Sequence, residues 1–77
     1  MPKIKIYSTP TCIYCLTLKQ FLREHNIEFE DLDVAQDLKA REEMIQKTGQ
    51  MGVPVVDIDG EIIIGFNKEK ISELLKL

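Results

Sequence analysis

Seventy-seven residues with a formal net charge of −3 bound the chain to one small domain, residues 1–77, and argue against a nucleic-acid partner, which needs basic patches and exposed aromatics. No run of ~18 apolar residues exists to span a membrane, and the opening "MPKIKIYSTP" lacks the apolar core of a secretory signal. The chain is expected to be cytoplasmic and monomeric. In that compartment thiols stay reduced, so its two cysteines serve catalysis or metal binding sooner than stapling.

The elements follow in chain order. "KIKIY", Lys3–Tyr7, alternates charged and apolar residues and reads as a strand, broken by Pro10 and Thr11. Thr11 is the expected N-cap of a helix from Cys12 to about His25, with Leu18, Phe21, Leu22 and His25 on its buried face and Asn26 at its stop. "IEFEDLDV", Ile27–Val34, reads as a second strand whose apolar phase slips between Phe29 and Leu32, the mark of a bulge or bend. Asp31 and Asp33 in it read as solvated edge carboxylates. Asp37 can cap a helix over Leu38–Thr48, with Leu38, Met44 and Ile45 inward and Gly49 ending it. Between Val53 and Phe66 two apolar strands flank Asp59-Gly60, a pair that tolerates the positive φ angles of a tight hairpin turn. Asn67 can cap a last helix through Leu75. Phe66 before that cap and Ile71 four residues after it can form a hydrophobic staple, with Leu74 and Leu75 also inward. The order βαβαββα predicts an α/β domain: a four-stranded mixed sheet sandwiched by three helices.

The cysteine spacing carries the chemistry. Residues three apart on a helix have Cα atoms about 5 Å apart, inside the range a disulfide needs. A bridge there would close a tiny loop and stabilise by only roughly 2 kcal/mol. At the helix start the amide N–H groups lack intrahelical partners and the dipole is positive, so Cys12 is expected to titrate below the ~8.5 of a free cysteine. Cys15 shares the face of Leu18 and Leu22 and should be shielded. An exposed thiolate followed by a shielded thiol is the order of a nucleophile and a resolver. A C-x-x-C beside a βαβ pattern is a thioredoxin-like signal. Two other readings stay open. One is a metal site, although one C-x-x-C and the distant His25 do not supply the four ligands of tetrahedral zinc. The other is a binding module with incidental cysteines. Pro54 reads either as a plain strand-start proline or as the second residue of a cis Val53–Pro54 bond that turns the Val53 backbone toward the cysteines, to pair with an extended substrate.

With these residues in view, the chain resembles the glutaredoxin branch of the thioredoxin superfamily along nearly its whole length. "CIYC", Cys12–Cys15, is similar to the family's C-P-Y-C. "GVP", Gly52–Pro54, is similar to its T-V-P with cis-proline. "IGF", Ile64–Phe66, partly keeps its Gly-Gly, and "AREEMI", Ala40–Ile45, is similar to its second helix. The resemblance implies a thioredoxin-like fold and a thiol–disulfide oxidoreductase without a bound cofactor or metal. It further implies a redox-active Cys12–Cys15 disulfide, with Thr11, Tyr14, Val53, Pro54, Gly65 and Phe66 contacting substrate and Arg41 contacting glutathione. The departures point elsewhere for electrons. Thr9 stands where many members place a glutathione-binding lysine, and Asn67-Lys68 where they present an aspartate. The "GF" at Gly65-Phe66 is closer to the small redoxins that reduce ribonucleotide reductase and take electrons from a thioredoxin-reductase-type flavoprotein. The expected partners are therefore disulfide-containing proteins, ribonucleotide reductase among them, with that flavoprotein as donor. The alternatives are glutathione as donor, or a dimeric [2Fe–2S] carrier, since Ile13 replaces the motif proline as in some cluster-binding members.

Overall fold

The computed structural model describes residues 3–77. The sheet is built from β1 (Ile4–Ser8), β2 (Glu30–Asp33), β3 (Val55–Ile58) and β4 (Glu61–Ile64). The helices are α1 (Ile13–Glu24), α2 (Leu38–Thr48) and α3 (Lys68–Leu75). Strand order is β2-β1-β3-β4. β1 runs parallel to β2 and antiparallel to β3, and β3 runs antiparallel to β4. This is the four-stranded mixed sheet with three helices that the element order predicts, and the thioredoxin-like fold that the resemblance implies.

The two central strands, β1 and β3, bury both faces. Ile4 and Ile6 of β1, Val56 and Ile58 of β3 and Ile63 of β4 pack against Leu18, Phe21 and Leu22 of α1 and Ile71 of α3. The alternate residues Tyr7 and Val55 pack with Ala40 and Met44 of α2. Two-sided burial explains the phase slip in "IEFEDLDV". Ile27 and Phe29 pack on the α1 and α3 cluster, and Leu32 and Val34 in the α2 cluster. The odd spacing from Phe29 to Leu32 therefore changes which face is apolar, as strict strand alternation requires. The expected bulge is replaced by this change of face, and the paired strand shortens to Glu30–Asp33.

Local chemistry sets the element ends. Asp37 caps α2 by accepting the N–H groups of Lys39 and Ala40, both at 3.1 Å. Gly49 ends that helix at φ +73°. Asn67 caps α3 through the Lys70 N–H at 3.1 Å, and Phe66 and Ile71 on either side of it share one core cluster. Asp59 and Gly60 take φ +50° and +95° in the β3–β4 turn. Three expectations change. His25 is not on the buried face: it caps α1 in solvent and touches the Phe21 ring edge-on, centroids 4.7 Å apart. Leu38 is exposed and Ile45 only half-buried, because α2 turns Ala40 and Met44 inward. A small Ala40 beside the sheet leaves room for Glu43 and Lys47 to reach over it. Among the described residues no helix is long and apolar enough to cross a membrane.

Candidate active site

The register of the sheet gathers one end of the molecule. Tyr7 pairs with Val55, and Val55 with Ile64. The loop after β1, the segment before β3 and the turn after β4 therefore meet at the same edge. These carry Cys12, Val53-Pro54 and Gly65 respectively.

Cys12 itself, not Thr11, is the N-cap of α1, with extended backbone at φ −87° and ψ 113°. Its Sγ accepts the Cys15 N–H at 3.2 Å, and its carbonyl accepts the Leu16 N–H at 3.2 Å. The helix begins at Ile13 because a thiol sulfur can do the work of a capping oxygen, satisfying one of the orphan donors of the first turn. Thr11 lies one residue outside, in the exposed turn closed by the Cys12 N–H on the Thr9 carbonyl at 3.3 Å.

The two cysteines are free thiols in different surroundings. Cys12 is partly exposed and Cys15 fully buried. Burial first, and then the hydrogen bond with Cys12, pushes the Cys15 thiol up to about 12. Cys15 is thus held as a thiol, out of reach, one helical turn from a sulfur that solvent can touch. Around Cys12 the first turn of α1 shows apolar side chains to solvent: Ile13, Tyr14 and Leu16 are all more than half exposed.

The other candidates fall into place unevenly. The Val53–Pro54 bond is cis, Pro54 is buried and Val53 half-buried. Gly65 takes φ +83°, and its N–H donates to the Pro54 carbonyl at 2.8 Å, tying the β4 turn to the Val53-Pro54 segment. Phe66 points under α1, its ring 5.9 Å from that of Phe21. Lys68 places its ammonium 5.5 Å from the centroid of the same Phe21 ring. Arg41 of α2 donates to the Met51 sulfur at 3.7 Å, in the loop leading to Pro54. Among the described residues no three His, Cys, Asp or Glu side chains gather to hold a metal ion.

Sequence reasoning missed one group near the cysteines. Lys19 is buried on α1, and its ammonium meets Asp31 Oδ2 at 2.9 Å. Asp31, an exposed carboxylate on the edge strand as expected, also accepts the Ser8 hydroxyl at 2.9 Å. The available signal was a lysine four residues after Cys15, next to Leu18 on the inward side of an amphipathic helix.

The chain is similar to known proteins in sequence and in fold. The glutaredoxin family model matches residues 4–63. The chain is 55% identical over 73 residues to a glutaredoxin-like 8.6 kDa protein in the rubredoxin operon of Clostridium pasteurianum, covering 95% of this chain and 97% of that one. The crystal structure of the thioredoxin-like protein BC3987 superposes with a TM-score of 0.88 at 38% identity, over 94% of this chain and 99% of that one. The glutaredoxin-like protein NrdH-redoxin from Escherichia coli superposes with a TM-score of 0.81 at 26% identity, over 94% and 93% of the two chains. The chain belongs to the glutaredoxin family and is a thiol–disulfide oxidoreductase.

Proposed function

We propose that the chain is a dithiol electron carrier for protein disulfides, with Cys12 as nucleophile and Cys15 as resolving thiol. The observation that carries this reading is the asymmetry of the pair: an accessible sulfur receiving an N–H, followed one turn later by a buried thiol. Cys12 thiolate attacks one sulfur of the substrate disulfide, forming a mixed disulfide and releasing the other sulfur as a thiolate. Cys15 then loses its proton and attacks Cys12 Sγ. The Cys12–Cys15 bond forms, the second substrate sulfur leaves, and two electrons have passed to the substrate. Cys15→Ser should trap the mixed disulfide, and Cys12→Ser should trap nothing. Trapping by Cys12→Ser alone would reverse the roles.

The proposed donor is a thioredoxin-reductase-type flavoprotein, with NADPH behind it. Thr9 and Lys68 leave out two charge contacts that would anchor glutathione. Each such contact is typically worth ~1.5–3 kcal/mol, so their loss weakens binding by roughly two orders of magnitude or more. Arg41, the cation left for a glutathione carboxylate, is engaged by Met51. The exposed Ile13, Tyr14 and Leu16 suit an apolar protein surface better than a charged tripeptide. The E. coli NrdH-redoxin, similar in fold, is described as having a thioredoxin-like activity profile. Resemblance to the redoxins that serve ribonucleotide reductase makes that enzyme the first substrate to assay. The deciding measurement reduces the oxidised chain with each donor system at matched flux. Efficient turnover with millimolar glutathione, and none with a thioredoxin-type reductase, would overturn the donor assignment. Thr9→Lys with Lys68→Asp should raise the glutathione rate, and no gain would mean that the missing charges are not the reason.

A further inference from the structure

The resolving step asks a thiol to ionise where it is fully buried. The charged groups around it then control how fast it attacks. Lys19 lies four residues after Cys15 on α1, a spacing that puts the two on neighbouring helical turns with Cβ atoms about 5–6 Å apart. Helical side chains lean toward the N-terminus, which directs the long Lys19 stem back toward the turn that holds Cys15. Lys19 is only 9% exposed. Its ammonium is held by Asp31 at 2.9 Å, and Asp31 is held in turn by the hydroxyl of Ser8, the buried last residue of β1 before the Cys12 loop. Stability does not account for this pair. An apolar side chain at position 19 would extend the surface of Leu18, Phe21 and Leu22, and an ion pair whose carboxylate is 45% exposed contributes little to stability. The other elements packed on this face offer Cys15 little charge. β3 contributes Val56 and Ile58, α3 contributes Ile71, and the Lys68 ammonium is over Phe21. Cys12, Lys19 and Asp31 remain.

We infer that Lys19 is a positioning charge for the resolving step, its buried ammonium favouring the thiolate of Cys15 when the mixed disulfide must be opened, with the Asp31 carboxylate partly offsetting that charge. The inference rests on the roles proposed above for Cys12 and Cys15. The Cys15 proton passes to solvent, the Cys15 thiolate attacks Cys12 Sγ, and the bond from Cys12 to the substrate sulfur breaks. The departing thiolate takes a proton from solvent. Lys19 keeps its proton and Asp31 its charge throughout. Consistent with this, burial and then the Cys12 hydrogen bond push the Cys15 thiol up, and the Thr9 backbone and, more weakly, the Lys19 charge pull it down.

The test mixes the reduced protein with dithiobis-nitrobenzoate and follows the two successive releases of coloured thiolate. The first reads attack by Cys12 and the second reads resolution by Cys15. Lys19→Gln should leave the first release unchanged and slow the second. Raising the thiol pKa by one unit cuts the thiolate fraction tenfold but strengthens the nucleophile, so the net loss is roughly threefold across the neutral range. Asp31→Asn should act in the opposite direction and speed the second release, because Lys19 is then unopposed. Lys19→Arg should keep the wild-type rate. A pair that only supports packing would slow the second release in both Lys19→Gln and Asp31→Asn. That result, or no change in either, overturns the inference. If Lys19→Gln does not fold, the sign of the Asp31→Asn effect decides alone: faster supports, equal or slower overturns. Failure of the underlying roles is separable, since Cys12→Ser would then give the fast first release and Cys15→Ser would not.

Discussion

On one side of the sheet, Ile4, Ile6, Val56, Ile58 and Ile63 meet Leu18, Phe21, Leu22 and Ile71 in a wholly apolar cluster. On the other, the same strands send Tyr7 and Asp57 toward Glu43 and Lys47 of α2. The Tyr7 hydroxyl donates to Glu43 at 2.6 Å and accepts from Lys47 at 2.8 Å. Lys47 also binds Asp57, and Lys5 reaches Glu43 at 3.3 Å. The difference separates two tasks. The α1 side buries Cys15, and its ion pair joins the buried Lys19, one turn after Cys15, to the exposed Asp31 carboxylate. The α2 side holds a network of Lys5, Tyr7, Glu43, Lys47 and Asp57. An apolar cluster is insensitive to pH, and a charged network is not.

The widest gap between the two sides should appear on truncation. Leu22→Ala removes a fully buried side chain from the apolar cluster, and such changes cost about 2–5 kcal/mol. The urea midpoint should drop with little change in slope. A near wild-type midpoint would mean that the α1 side is not the tightly packed one. On the α2 side Lys47→Met should cost less, about 1–3 kcal/mol, by leaving the Asp57 carboxylate and the Tyr7 hydroxyl short of a partner. A cost equal to that of Leu22→Ala would erase the distinction drawn here.

Acid and base sharpen the comparison further. The Tyr7 hydroxyl, then Lys47, hold the Glu43 carboxyl at about 2, down from 4.5. Its contribution to stability is complete above 4.5 and is lost as pH falls toward 2. Asp57 shifts the same way: burial resists its ionisation, but Lys47 and the Gly60 N–H outweigh burial. At the other end, burial alone would lower Lys47, and its bonds to Asp57, Tyr7 and Glu43 raise it instead. Burial, then Glu43, raises Tyr7 above its ordinary 10.0. Both contributions are complete at neutral pH and are lost as pH rises through the raised values. The urea midpoint plotted against pH should therefore hold a plateau and fall at both ends. Lys47→Met should flatten the acid limb only in part, because Tyr7 still holds Glu43, and should take the Lys47 share from the alkaline limb while leaving that of Tyr7, whereas Leu22→Ala should lower the whole curve without reshaping it. Equal reshaping by both would show that the α2 network is not the titrating part.

The smallest effects belong to the helix starts. Asp37→Ala and Asn67→Ala should each cost about 1 kcal/mol. The Asp37 change should be the larger, because Asp37 accepts two N–H groups where Asn67 accepts one. Thermal midpoints in the reverse order would show that neighbouring packing, not the cap bonds, governs these termini.

Features that depend on a few adjacent residues were legible in the sequence. The Asp59-Gly60 turn, the Asp37 and Asn67 caps and the Gly49 stop are each set by φ preference or by a side-chain oxygen within three residues. The one-turn spacing of Cys12 and Cys15 and the burial of the second follow from the period of the helix. Errors arose where a residue had two local uses. His25 fits the apolar spacing, yet falls where α1 has already ended, so it caps rather than packs. Thr11 is the better capping residue by type, yet Cys12 holds the position because its sulfur faces the Cys15 N–H. Leu38 follows Asp37 directly, and the first turn of α2 projects it away from the sheet.

By itself the sequence determined the element order, the turn and cap residues, the redox pair and the family resemblance, since each rests on backbone geometry or spacing inside one element. Only the tertiary structure decided which charges meet. Lys19 finds Asp31 because the parallel register of β1 and β2 sets Asp31 beside Ile6, under α1. Lys47 finds Tyr7 and Asp57 because β1 and β3 pair in antiparallel register beneath α2. No local preference encodes such a meeting. An ammonium on a helix face looks solvated until a strand from elsewhere in the chain covers it, and its environment, hence its effect on a nearby thiol, is set by that cover.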